Sequence, residues 1–279
     1  MTDNDFKQTT LRYALAGAVA GTMILLGILL GILPGILSAP AVAQQMPDLT
    51  PQSAEAREYS ACMRLAKARP AEARQSALAW RTRGGGNPAL HCVAVALLGL
   101  GQYSQSAHMM EELAANSAPD RPDLRAGLLA QAANGWIIAG RPQTAAKLLG
   151  DALVLQPVNI DFMIDRSIAF ASLGKYWDAL DDLNRALERA PDRIDALTFR
   201  ASAWRRVEAL DLARQDIDAV LIARPDNPDA LLERGLIHKA LGDRDAARAD
   251  WLKVLEIAIE GPLTEAARRN IEQMDVLKR

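Results

Sequence analysis

A pattern with a period of 34 residues runs through the C-terminal half of the chain and restricts the possible folds more than any other feature. When units are counted from Ala126, Ile160, Ile194 and Pro228, the eighth place always holds a small residue and the twentieth always holds alanine. The twenty-fourth place holds a bulky apolar residue: Leu149, Leu183, Ile217 and Trp251. Self-similarity with a period of about 20 to 50 residues indicates a stack of identical supersecondary units.

Each unit is predicted to be two short amphipathic helices joined by a turn. In unit 160–193 the first helix is expected over about 161–173 and the second over about 177–189. Small residues at the eighth and twentieth places let the two helices approach closely. A proline at the thirty-second place ends the second helix in three of the four units, because proline cannot continue it. One helix pair cannot bury its apolar face alone, so the pairs are predicted to stack into an all-α solenoid.

This pattern resembles the tetratricopeptide repeat (TPR) family. The shared features are the period, the alanine at place twenty, the small residue at eight followed by a large one at eleven, and the terminal proline. The family's tryptophan at place four is replaced by Leu129, Met163, Leu197 and Leu231. The resemblance implies a right-handed TPR solenoid whose first helices line a concave groove that binds a protein or peptide.

The whole chain can be divided on this basis. The predicted segments are a signal peptide or membrane anchor at 1–43, a linker at 44–54, a degenerate helical repeat at 55–86, a TPR-like repeat at 87–120, four TPR units at 126–159, 160–193, 194–227 and 228–261, and a capping helix at 262–279. Five extra residues, 121–125, interrupt the register. The charged face of the capping helix suits the end of an open stack.

The first 43 residues predict export. Their only cations are Lys7 and Arg12, and the sequence is then uncharged to Ala43. Residues 14–37 are long enough to cross a bilayer, whereas Ala41-Val42-Ala43 fits a signal-peptide cleavage site. A cleaved signal peptide and a retained anchor both remain open. Both place the repeats in the periplasm of a bacterial-type envelope, where an anchor would tether them to the inner membrane.

Cys62 and Cys92 are the only cysteines. In an exported chain such a pair predicts a disulfide, here joining the two N-terminal repeats. The chain-entropy model gives a contribution of about 3–4 kcal/mol for a loop of this length. No C-x-x-C motif is present, so the pair is not expected to be redox-active.

The sequence offers no catalytic constellation. It contains no nucleotide-binding fingerprint and no nucleophile motif, and its three histidines lack metal-ligand spacing. The formal net charge of −2, with no basic stripe, argues against nucleic acid. A non-enzymatic protein with no cofactor, metal site or small-molecule substrate is therefore expected. An enzyme subunit whose catalytic partner is another chain is a rival.

The resemblance also carries over a set of partner-binding groove residues. They are Asn134, Ile137, Ile164, Ile168, Thr198, Ser202, Arg205, Arg206, Leu236 and Lys239. The set is apolar in the middle units and basic towards the end, which suits a peptide or helix with apolar anchors and an acidic end. Reversing the charges of Arg205 and Arg206 is expected to weaken partner capture without loss of stability.

The function expected from these observations is that of a non-enzymatic exported TPR scaffold or adaptor that binds another envelope protein through the groove. The alternative is a membrane-anchored assembly or maturation factor for an envelope complex, which requires residues 1–43 to be retained. Self-assembly of the repeats is disfavoured, because the charged cap should block end-to-end stacking.

Overall fold

The predicted helical stack is present throughout residues 54–276, the part of the chain that the computed structural model describes. These residues form thirteen α-helices and no β-strand. The helices are α1 Ala54–Ala68, α2 Pro70–Thr82, α3 Gly86–Gly99, α4 Tyr103–Ala115, α5 Pro122–Ile138, α6 Pro142–Leu155, α7 Ile160–Ser172, α8 Tyr176–Arg189, α9 Ile194–Arg206, α10 Leu210–Ala223, α11 Pro228–Ala240, α12 Arg244–Ile257 and α13 Pro262–Val276.

The predicted signal peptide or anchor and almost all of the predicted linker lie outside the described residues, as do residues 277–279. Among the helices of 54–276, none combines the length and the apolar character needed to cross a bilayer.

Local sequence signals explain where the helices begin and end. The side chains of Asn159 and Asn227 accept hydrogen bonds from the backbone N–H groups of Phe162 and Ala230, which caps α7 and α11. The turn between the two helices of a unit needs a left-handed residue at the fifteenth place, and glycine fills it in three units. In unit 194–227 Glu208 adopts this conformation with φ 64°, at a cost of about 1–2 kcal/mol.

The helices stack in chain order, each against the next. The first helices of successive pairs, α1, α3, α5, α7, α9 and α11, form one surface, called here the A-helix face. The last helix, α13, packs on α11 and α12 and buries Leu263, Ala267 and Met274 against them. It therefore covers the end of the stack at the position predicted for a cap.

The two helices of each unit cross at the eighth and twentieth places, where the repeat has small side chains. The alanines at the twentieth place, Ala145, Ala179, Ala213 and Ala247, are all 0% exposed. In the last unit the eighth place is Gly235, and a Cβ atom there would lie 2.3 Å from Nε1 of the buried Trp251. The other units carry leucine or isoleucine at the twenty-fourth place and alanine or serine at the eighth. Glycine in the last unit therefore makes room for the larger tryptophan.

Gly235→Ala is expected to destabilise the protein by about 1–3 kcal/mol, because the new methyl group overpacks the crossing at Trp251. Gly127→Ala is the matched control, since a Cβ atom on Gly127 meets nothing within 4 Å. That change should stabilise α5 by about 0.5–1 kcal/mol. Urea unfolding followed by circular dichroism measures both. Equal stability of the two variants would show that Trp251 shifts freely and that the crossing is not tightly packed.

A ladder of ion pairs reinforces the last three units. In each unit an arginine at the seventh place donates through Nε and Nη2 to both oxygens of an aspartate sixteen residues later, at 2.6–3.0 Å. The pairs are Arg166 with Asp182, Arg200 with Asp216, and Arg234 with Asp250. The aspartates are buried, so the charge-assisted bonds tie the first helix of the unit to the second.

Candidate functional site

The A-helix face opens at one point. Neighbouring first helices contact each other at α1/α3, α5/α7, α7/α9 and α9/α11, whereas the backbones of α3 and α5 approach each other less and are joined by the side chains of His91 and Gln131. The extra residues that break the repeat register form the first turn of α5, which has 17 residues where α7 has 13. The longer helix and the preceding loop leave an open cavity between α1, α3 and α5.

This cavity, the N-terminal pocket, has a volume of about 920 Å³. Its walls are mainly apolar, with Pro88 from α3, Leu113 from α4, and Leu124 and Leu128 from α5. Leu124 is 45% exposed, so an apolar surface is available to a partner. Glu55, Asp123 and Arg121 also line the pocket.

Three polar side chains connect the helices that form the pocket. The hydroxyl of Tyr59 on α1 lies 2.7 Å from Nδ1 of His91 on α3, and Nε2 of His91 lies 2.9 Å from Oε1 of Gln131 on α5. Because the Gln131 oxygen can only accept, Nε2 carries the proton and Nδ1 accepts from Tyr59. Burial lowers the pKa of His91, and the Gln131 hydrogen bond opposes this only in part. The imidazole is therefore neutral at physiological pH, and the connection is uncharged.

The predicted disulfide lies beside this connection. Cys62 and Cys92 are bonded, with Cα atoms 6.2 Å apart. Cys62 follows Tyr59 by one helical turn, and Cys92 follows His91 directly. The covalent bond therefore holds α1 against α3 where their side chains contribute to the pocket.

The predicted groove residues occupy a less open part of the same face. Five of the ten are buried: Ile164, Ile168, Thr198, Ser202 and Leu236. The apolar three belong to the main hydrophobic core, and the Thr198 hydroxyl donates to the carbonyl of Ile194 in its own helix. Neighbouring first helices pack so closely here that these places lie between them. Of the other five, the Arg205 side chain is almost completely buried, and Asn134, Ile137, Arg206 and Lys239 are half-buried. A partner-binding role for the set stays a prediction.

The basic side chains at the end of the predicted groove already contact other residues of the protein. Arg205 donates to both carboxylate oxygens of Glu233, with Nε 2.5 Å from Oε1, and the two side chains are only 9% and 10% exposed. Arg206 stacks over Tyr176 and Lys239 over Trp251. This ion pair argues against the expectation that Arg205 tolerates charge reversal, because a glutamate there would face Glu233 inside the protein.

Acidic side chains lie at the centre of the A-helix face. Asn134 on α5 donates through Nδ2 to Oδ2 of Asp165 on α7 at 3.1 Å. Burial raises the pKa of Asp165 to about 7, the Asn134 hydrogen bond opposes this shift, and the charges of Asp161 and Asp195 add to it. Arg193 bonds Asp161 at 2.6 Å and Asp195 at 2.8 Å.

Sequence comparison supports the resemblance to the tetratricopeptide repeat family. A family model described as tetratricopeptide repeat matches residues 139–194 and 200–262, which are 119 of the 279 residues. These repeats are similar to tetratricopeptide repeats. No curated protein matches the sequence significantly.

Solved TPR structures share the fold. MamA, residues 41 to the end, from Desulfovibrio magneticus RS-1 matches with a TM-score of 0.53 and 18% identity over 61% of this chain and 94% of that one. A chain of the APC/C hetero-tetramer Cut9–Hcn1 matches with a TM-score of 0.62 and 12% identity over 77% of this chain and 42% of that one. At these identities the likeness extends to the fold alone. TPR proteins typically act as non-catalytic scaffolds for protein interaction.

The N-terminal pocket lies outside the part of the chain that matches the TPR family model. The matched residues begin at 139, whereas every residue that lines the pocket lies between 55 and 131. The family model therefore does not cover this pocket. A signal for it in the sequence is the break in register at 121–125.

Proposed function

We propose that this protein is an exported TPR scaffold that binds a segment of another envelope protein on its A-helix face. The observation that carries the proposal is the N-terminal pocket, an open and mainly apolar cavity of about 920 Å³. Its walls are held by a disulfide and by the Tyr59–His91–Gln131 connection. A preformed cavity loses little conformational entropy when a partner binds.

Two features support the exported location. A disulfide between the only two cysteines is typical of oxidising compartments outside the cytoplasm. Residues 1–43 combine a short cationic start, a long uncharged stretch and a cleavage-site pattern. Both features favour a periplasmic position for the repeats.

Site-specific photocrosslinking in intact cells tests the proposal. A photoreactive benzophenone amino acid replaces Leu124 at the wall of the pocket, and in a matched strain it replaces Ile222, which is 84% exposed on the second helix α10. One envelope protein is expected to crosslink to position 124 and not to position 222, because only position 124 lies in the pocket. The same products from both positions, or no product from position 124, would contradict the proposal.

The alternative of a membrane-anchored assembly or maturation factor is favoured by residues 14–37, which are long enough to span a bilayer. The intact mass of the protein purified from whole cells of its native source separates the two candidates. A chain that begins at Gln44 indicates a cleaved signal peptide and a soluble scaffold. A chain that retains residues 1–43 indicates a scaffold tethered beside a membrane complex.

A further inference from the structure

The N-terminal pocket and the acidic centre of the A-helix face (Asp161, Asp165 and Asp195) are neighbours along α5. Gln131 lines the pocket, and Asn134, three residues later on α5, bonds Asp165. Residues three apart are neighbours on one helix face, separated by a rise of about 4.5 Å. A segment lying in the pocket can therefore reach Asp165 with its next side chains.

The acidic centre of the A-helix face has more hydrogen-bond acceptors than donors. The Asn134 amide donates to Asp165, while its own oxygen is buried and accepts no hydrogen bond. Asp165 is half-buried among neighbouring helices. The guanidinium that acts on Asp165, that of Arg193, is already bonded to Asp161 and Asp195. What the site lacks is a positively charged donor.

We propose that Asp165 receives a lysine or arginine side chain of the partner whose apolar residue occupies the N-terminal pocket. This inference rests on the proposed function and adds the chemistry of the partner. Charge complementarity supports it, because three carboxylates, those of Asp161, Asp165 and Asp195, face one guanidinium at the centre. Glu55 and Asp123 add two more carboxylates along the pocket.

The inferred charge of the partner is opposite to the one that the sequence suggests. An acidic partner is expected from Arg205, Arg206 and Lys239, but Glu233 already neutralises Arg205. These cations also lie on α9 and α11, away from the pocket. A basic side chain next to an apolar anchor fits the part of the face that is open.

Binding of such a side chain should release a proton. With a pKa of about 7, Asp165 is mostly neutral at pH 6 and mostly ionised at pH 8. The charged groups acting on it are Asp161 and Asp195, which raise its pKa, and Arg193, which lowers it. A cation prefers the ionised carboxyl, so the affinity should rise by up to about tenfold from pH 6 to pH 8.

Peptide selection on the full-length protein in nanodiscs is the test. Phage-displayed random dodecapeptides are selected at pH 8, and the strongest binder is synthesised with its basic residue either intact or replaced by norleucine, an uncharged analogue of lysine. The selected peptides are expected to share a lysine or arginine near an apolar residue. The norleucine peptide should bind the wild type about tenfold more weakly.

Asp165→Asn should remove both the preference for the basic peptide and the rise in affinity with pH. Asp181→Asn, an exposed residue of the second helix α8, is the matched control and should bind as the wild type does. If Asp165→Asn fails to fold, the pH profile of the wild type with the two peptides decides instead. Selected peptides without a common basic residue would overturn the inference and leave the scaffold proposal intact. A lack of any enriched peptide would contradict the scaffold proposal as well.

Discussion

Arg205→Glu is expected to destabilise the protein by about 3–5 kcal/mol, the usual cost of breaking a buried ion pair. The guanidinium of Arg205 on α9 bonds both oxygens of Glu233 on α11, and both side chains are almost completely buried. The substitution removes the donors and places a second carboxylate beside the first. Thermal unfolding followed by circular dichroism should show the lost stability.

Arg206→Glu is the matched control because it makes the same charge change one residue later. Arg206 is half-buried and stacks over the Tyr176 ring at 4.7 Å, a contact worth about 0.5–1 kcal/mol. The exchanged pair Arg205→Glu/Glu233→Arg should recover part of the lost stability, since it restores opposite charges. If Arg205→Glu and Arg206→Glu were equally stable, the ion pair would not join α9 to α11.

The repeat fold follows from the sequence because its signals lie within one unit. The helices α7 and α8 begin and end within one residue of the predicted positions. The places kept small, such as Ala179 and Ala213, are fully buried at the helix crossings. These features need only the helical period and the size of the side chains, both of which can be read from the sequence.

The exposure of the predicted groove residues depends on contacts between units, and the sequence of one unit does not specify these contacts. Ile168 and Ser202 occupy places that the family resemblance assigns to the groove, yet both are buried between first helices. Arg205 carries a charge that the sequence shows, but its pairing with Glu233 requires the stacking of α9 on α11. The exposure of a side chain on the A-helix face is therefore decided by the neighbouring helix.

The N-terminal pocket was harder still to predict, because it arises where the repeat pattern fails. The five residues at 121–125 are an interruption in the sequence. In the structure, residues 122–125 lengthen α5, and Arg121, Asp123 and Leu124 line the pocket. His91 lies beside a cysteine in the sequence, which suggests a metal ligand only superficially. Its bonds to Tyr59 and Gln131 show that it joins three helices instead.

Removal of the disulfide should produce the second large effect, at the opposite end of the stack. Cys62→Ser/Cys92→Ser is expected to cost about 3–4 kcal/mol on the chain-entropy model. The N-terminal unit depends on this bond because its hydrophobic cluster is separate from the main core and is small. The cluster consists of Cys62, Ala66, Ala73, Ala77, Cys92, Val93, Ala96 and Leu97.

The loss should be local, because each unit of a solenoid contacts only its neighbours. Hydrogen exchange with mass spectrometry should show faster exchange in α1, α2 and the first turns of α3, while α7–α12 keep their protection. Adding a reductant to the wild type should speed exchange in the same helices. It should cause no further change in the Cys62→Ser/Cys92→Ser variant. Unchanged exchange in α1 would mean that packing alone holds the first unit.

Because α1 forms one wall of the pocket, its loosening should also abolish crosslinking from position 124. Partner binding would then depend on an oxidising compartment.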